Sequence, residues 1–231
     1  LPRRKNPKMK VQMAFLLDAT ESMQNWIDVC KDEILNIIDK TDSAEFEVAL
    51  VAYTDYEEDG YHPPIIVPFT KEPQIVKIAL AKIRAQGGWD CAEDVAGGVY
   101  CLGKLAWDRD AIQHVVHLAD APPHGLEFHE PWVLDDFPNG DPGGEDLMEM
   151  LTAINGINYT FFKITENTDK FVDLLRDIFP AFTLVDLKEK EYVRMGVRTR
   201  VSELDDSTFS GVLSQIVNTS NPSLPDASQS D

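Results

Sequence analysis

The chain has 231 residues, enough to bury one substantial core, and its 43% hydrophobic content is that of an ordinary globular domain. Its formal net charge of −19, from 21 Lys and Arg against 40 Asp and Glu, argues against nucleic-acid binding as the main task, because a phosphate-binding face needs clustered cations. No apolar run reaches membrane-spanning length, and Arg3-Arg4-Lys5 lacks the apolar stretch of a signal peptide, so a soluble protein without a membrane span is expected.

The charge is unevenly spread. Residues 1–10 hold five basic side chains and no acid, which predicts a basic arm over residues 1–9. Residues 110–162 hold ten Asp or Glu and no Lys or Arg, which reads as a solvated acidic face or, more sharply, as a cation-attracting surface. Cys30, Cys91 and Cys101 are odd in number and lack zinc spacing, so a reducing, cytoplasmic setting is expected. The start at Leu1 suggests an origin inside a longer product or after removal of a segment.

The first element is an apolar run over residues 11–17 that ends in Asp18, the pattern of a central strand buried on both faces. Met23, Trp26, Ile27, Cys30, Ile34, Ile37 and Ile38 then recur at helical spacing, predicting a helix from about 20–22 to 40. Strands are expected at 46–53 and 64–69, followed by a helix over 72–84. Gln86-Gly87-Gly88 breaks that helix. A further helix runs from about 92 to 105, and its patch Ala96-Gly97-Gly98 implies close packing on a sheet.

Residues 112–119 repeat the opening pattern, an apolar run ended by an acid, Asp120. A Pro-, Gly- and acid-rich loop then reaches about residue 144, longer than a simple connection needs. Helices at 145–155 and 168–179 alternate with strands at 158–164 and 182–187. This alternation predicts a doubly wound α/β fold with a mostly parallel sheet covered on both faces, over residues 10–188. Beyond it, residues 189–231 form an extension with a candidate edge strand at Tyr192–Val201 and a disordered tail over 206–231.

In such sheets ligands bind outside the carboxyl ends of the strands, where Asp18 and Asp120 both fall. Thr20 and Ser22 follow Asp18 at two-residue spacing, where their hydroxyls either cap the helix or face a common point. Asp18-x-Thr20-x-Ser22 resembles the metal-ion-dependent adhesion site of von Willebrand factor A domains, and Asp120 resembles that family's distal Asp. The likeness spans residues 10 to 187. It is strongest to the A domains found with alpha-type protein kinases, through Gly87-Gly88-Trp89-Asp90-Cys91-Ala92-Glu93-Asp94-Val95 and His117-Leu118-Ala119-Asp120-Ala121-Pro122-Pro123-His124-Gly125. Residues 189–231 carry no glycine-rich phosphate loop with Lys, so any kinase activity is expected outside this chain.

The resemblance implies a non-catalytic, protein-binding module that holds Mg²⁺ or Mn²⁺ through Asp18, Thr20, Ser22, Asp90 and Asp120. Mg²⁺ wants near-octahedral oxygen at roughly 2.0–2.1 Å and keeps several waters. The family usually places a Thr where Asp90 stands. With Asp18, Asp90 and Asp120 all ligating, the site carries a net charge of about −1 and captures an acidic partner group poorly.

Three other readings compete. A haloacid dehalogenase-like phosphotransferase would use Asp18 as nucleophile, but it wants a downstream Lys that residues 110–162 do not supply. A zinc site from His114, His117, His124 and His129 is disfavoured because three-residue spacing on a strand turns His114 and His117 to opposite faces. Asp55 either supports the site from behind or caps a turn, and Trp89 and Trp132 are candidates for partner contact against packing on the sheet edge.

Overall fold

The computed structural model describes residues 10–40, 45–57 and 60–186. The expected arm over 1–9 and the extension over 189–231, with its edge strand and tail, lie outside the described residues.

Strand β1 (Val11–Asp18) leads through a 3₁₀ turn (Glu21–Asn25) into helix α1 (Ile27–Lys40). Strand β2 (Phe46–Tyr53), the short hairpin β3 (Tyr56–Glu57) and β4 (Gly60–Tyr61), strand β5 (Ile65–Thr70) and helix α2 (Pro73–Lys82) follow. Helix α3 (Val95–Gly103), strand β6 (Ile112–Ala119), helix α4 (Leu147–Ala153), strand β7 (Asn158–Lys163), helix α5 (Asp169–Ile178) and strand β8 (Phe182–Asp186) complete the described chain.

The main sheet has the order β5-β2-β1-β6-β7-β8. Every neighbouring pair is parallel except β2 and β5. Pro68 in β5 has no N–H to give a ladder, which suits the edge position that β5 occupies. The chain winds outward from β1 to one side and then restarts at β6 on the other. The topological switch point therefore lies between β1 and β6, the place where open α/β sheets bind ligands.

All eight residues of β1 are buried, and alternate side chains enter opposite layers. Met13, Phe15 and Leu17 pack with Ile27, Cys30 and Ile34 of α1 and Val76 and Leu80 of α2. Ala14 and Leu16 pack with Val95, Val99 and Leu102 of α3, Leu151 of α4, and Phe171 and Leu175 of α5. The sheet is thus covered on both faces, as its near-continuous apolar strands predict.

Gly98 is where α3 comes closest: a Cβ there would lie 2.7 Å from the Tyr53 ring and 3.1 Å from Leu16. Asp94 starts that helix by accepting a 2.6 Å hydrogen bond from the Gly97 amide. The helix thereby begins at Val95 rather than near residue 92. The first helix also differs from expectation, because residues 21–25 wind as 3₁₀ before α1 begins at Ile27. The Met23 amide reaches back to the Thr20 carbonyl, and this tighter turn sits where Thr20 and Ser22 face the sheet edge.

Candidate metal centre

Asp18 ends β1 and Asp120 directly follows β6, so the two carboxylates straddle the switch point. The Asp18 Oδ1 accepts from the Thr20 amide at 2.9 Å and from the Thr20 hydroxyl at 2.7 Å. The Ser22 hydroxyl donates to Asp120 Oδ1 at 2.9 Å. The two hydroxyl oxygens stand 3.1 Å apart, within hydrogen-bond distance of each other, so the two acids and two hydroxyls form one connected cluster. Asp18, Thr20 and Asp120 are buried while Ser22 is exposed, so the cluster opens to solvent on the Ser22 side.

A third acid, Glu93, which the sequence alone did not single out, lies close enough to feel the charges of Asp18 and Asp120. The segment 86–93 is stitched to both halves of the site. The Gln86 amide donates to the Ala19 carbonyl, the Glu21 amide to the Gly87 carbonyl, and the Glu93 amide to the Pro122 carbonyl, each at 2.9 Å. Glu93 is 2% exposed and its carboxylate packs on Gly88, where a Cβ would lie 2.5 Å from Oε1. Gly88 also has φ +81°, a conformation that favours glycine for a second reason. The signal was present in Gly87-Gly88 followed by an acid, but Glu93 looked like an ordinary helix-start residue.

Asp18 Oδ2 and Glu93 Oε2 are buried without a hydrogen-bond partner. Burial raises the pKa of Asp18, and the neighbouring charges of Asp120 and Asp55 add to the rise. Burial likewise raises Glu93, reinforced by Asp18, Asp55 and Asp120, and it raises Asp120. Buried carboxylates that repel one another need a proton or a cation between them. The donors are all hard oxygens, two of them orphaned, so the residues fit a divalent ion such as Mg²⁺ or Mn²⁺. Thr165 holds the rim by donating its hydroxyl to the Asp120 carbonyl.

Asp90 falls in a different group, the one set of three acid or imidazole residues among the described residues whose ligand atoms, all within 4.8 Å of one another, could share an ion. Its Oδ2 accepts from the Asp136 amide, and it also lies within reach of His124 and Asp135, while its Oδ1 is buried without a hydrogen-bond partner. His124 is itself clamped, with Nε2 at 2.8 Å from Asp55 and Nδ1 at 2.8 Å from Asp135. Asp135 further accepts from His129 at 2.9 Å and from the amides of Gly125 and Phe137 at 2.8 Å. Burial alone would lower the pKa of His124, but the two carboxylates outweigh it and push it up to about 9. Burial works against the Asp135 charge, yet these hydrogen bonds hold its carboxyl below the usual range. Asp55 is thus a buried partner of His124 rather than a turn cap.

His117, on β6, is fully buried between the Tyr53 hydroxyl at 2.9 Å and the Tyr159 hydroxyl at 2.8 Å, so it is a satisfied core residue. His114 lies in the opposite layer of the strand, as its spacing predicts. The charges that act most strongly on Asp18 are carboxylates rather than a lysine, and no comparison supports the phosphotransferase alternative. Trp89 and Trp132 do not pack on the sheet edge: they are 79% and 73% exposed. They flank a backbone bond from the Cys91 amide to the Leu134 carbonyl, and Leu134 is 68% exposed.

Residues 12–125 match the family model of the von Willebrand factor A domain. A 156-residue stretch, 66% of this chain, is 31% identical to the alpha-protein kinase vwkA of Dictyostelium discoideum, and spans 24% of that protein. The chain therefore covers about a quarter of the length of this relative. Among solved structures, the pilus adhesin SpaC of Lactobacillus rhamnosus GG aligns with 94% of this chain and 30% of its own, at TM-score 0.62 and 12% identity. BatB of Bacteroides thetaiotaomicron aligns with 91% of this chain and 98% of its own, at TM-score 0.56 and 11% identity. Proximal thread matrix protein 1 of the mussel byssus, solved with a zinc-occupied MIDAS motif, aligns with 89% of this chain and 46% of its own, at TM-score 0.56 and 11% identity. At these identities the structural likeness speaks for the fold.

Proposed function

We propose, from the premise that this chain carries a von Willebrand factor A domain, that it is a divalent-cation-dependent protein-binding module and is not itself a catalyst. Domains of this family are generally non-catalytic and generally mediate protein interactions. The observation that carries the reading is a juxtaposition. A solvent-accessible cluster of carboxylates and hydroxyls lies beside a rim of exposed Trp89, Trp132 and Leu134, and large apolar side chains left in water next to a polar site mark a contact surface.

Asp18, Thr20, Ser22 and Asp120 would hold the ion, while Asp90 lies with His124 and Asp135. The ion would supply positive charge and tie together segments that otherwise repel. Zinc is named for the mussel protein, whereas the all-oxygen donor set here favours the harder Mg²⁺ or Mn²⁺. The likeness to part of an alpha-protein kinase supports a regulatory or targeting role within a larger protein of that kind, and the odd cysteine count favours a cytoplasmic setting.

Affinity capture from cell extract, with Mg²⁺ or with chelator, tests the module. A partner retained by wild type with Mg²⁺, released by chelator, and lost from both Asp18→Ala and Trp89→Ala is the expected result. Capture indifferent to chelator and to both substitutions would overturn it.

A further inference from the structure

We propose that Glu93 is itself a ligand of the cation: it closes the ion's shell from within the chain, so the bound ion fastens segment 86–93 to the carboxyl ends of β1 and β6. This rests on the cation site proposed above and adds to it a ligand that its motif does not contain.

The backbone already brings Glu93 there. Its amide is bonded to the Pro122 carbonyl, it bridges to Pro123, and the start of its segment is bonded to Ala19 and Glu21 on the other side of the switch point. The side chain is pressed inward over Gly88, whose φ of +81° favours glycine, and Oε2 is buried without a partner. The charges that act most strongly on that carboxylate are Asp18, Asp55, Asp120 and Asp90, all acids. The nearby imidazole of His124 is already spent on Asp55 and Asp135.

A glutamate kept 2% exposed among four aspartates is costly to the empty protein and becomes favourable once a divalent ion arrives. Three carboxylates, Asp18, Glu93 and Asp120, then exceed the charge of the ion, so the filled site stays negative and gives little attraction to a partner's carboxylate. The partner is taken instead by the apolar rim, and the ion acts by fixing the segment that presents Trp89.

The test uses Mn²⁺ alone as probe. Free Mn²⁺ is followed by electron paramagnetic resonance, and thermal unfolding is measured with and without the ion, on wild type, Glu93→Gln and the exposed neighbour control Glu21→Gln. Glu93→Gln keeps the shape that packs on Gly88 and removes only the charge. Expected are a single saturable site in wild type, an affinity loss of roughly tenfold or more in Glu93→Gln, and an affinity within about twofold of wild type in Glu21→Gln. Without Mn²⁺, Glu93→Gln should melt higher than wild type, because the repulsion among the acids is relieved. A folded Glu93→Gln that binds Mn²⁺ as tightly as wild type, or melts lower without it, overturns the role of Glu93 while leaving the cation site standing. A wild type that binds no Mn²⁺ overturns the cation site and this role together.

Discussion

Two buried polar clusters sit at the same edge of the sheet and solve the problem of buried charge in opposite ways. In one, Asp55, His124, Asp135 and His129 alternate acid and imidazole, and both nitrogens of His124 have a carboxylate partner. In the other, Asp18 and Asp120 accept from hydroxyls, and Asp18 and the nearby Glu93 each keep one buried oxygen without a hydrogen-bond partner. The first contains a cation of its own, His124 held between Asp55 and Asp135, and reads as a clamp that fastens the loop after β6 to the segment after β2. The second lacks a positive member, which is what a site built for an external cation needs. The difference shows how a structural ion network and a ligand site are told apart at similar burial: by whether a cation already stands among the side chains.

The clamp breaks most severely. Asp135→Ala removes the acceptor of four donors, and its side chain is 1% exposed, so a loss of about 3 kcal/mol is expected in urea unfolding. An equally stable variant would mean that the cluster is not a clamp. The open cluster should respond in the other direction. Asp18→Asn is expected to raise the melting temperature of the metal-free protein while weakening Mg²⁺ binding by roughly tenfold or more, because it removes a repelling charge that is also a ligand. Scanning calorimetry with and without Mg²⁺ reads both effects.

A subtler effect separates the two by pH. The pKa of His124 is raised from 6.5 to about 9 in the folded protein, so the stability it contributes is complete below about 6.5 and is lost as pH rises through about 9. With Mg²⁺ saturating the other cluster, the melting temperature of wild type should fall across that window, and His124→Gln should fall less. Parallel curves would contradict the charged clamp. The smallest effect belongs to the rim: Trp89→Ala and Trp132→Ala should stay within about 0.5 kcal/mol of wild type and bind Mg²⁺ equally well, since both side chains are largely in water.

The readable parts of the site are those carried by local pattern. Asp18 and Asp120 could be placed because each ends an apolar run, and a buried parallel strand delivers its last residue to the carboxyl edge. Gly97 and Gly98 announced a close helix, and Gly98 meets Tyr53 and Leu16 as that patch implied. Glu93 and Asp135 were not legible. One acid just before a helix looks like any other, and the partners of Asp135 come from positions 124, 125, 129 and 137, brought together by loop geometry that has no period. Asp90 stood out by its place after Gly87-Gly88, yet the fold ties its carboxylate to the Asp136 amide and groups it with His124 and Asp135. The hairpin of β3 and β4 escaped for a simpler reason, since two-residue strands cannot show alternation.

The central claim is that the open cluster takes a divalent cation through Asp18. Calorimetric titration of Mg²⁺ into wild type and into Asp18→Ala tests it most directly. One saturable binding event in wild type and none in Asp18→Ala is the predicted result; equal heats in the two proteins would contradict it.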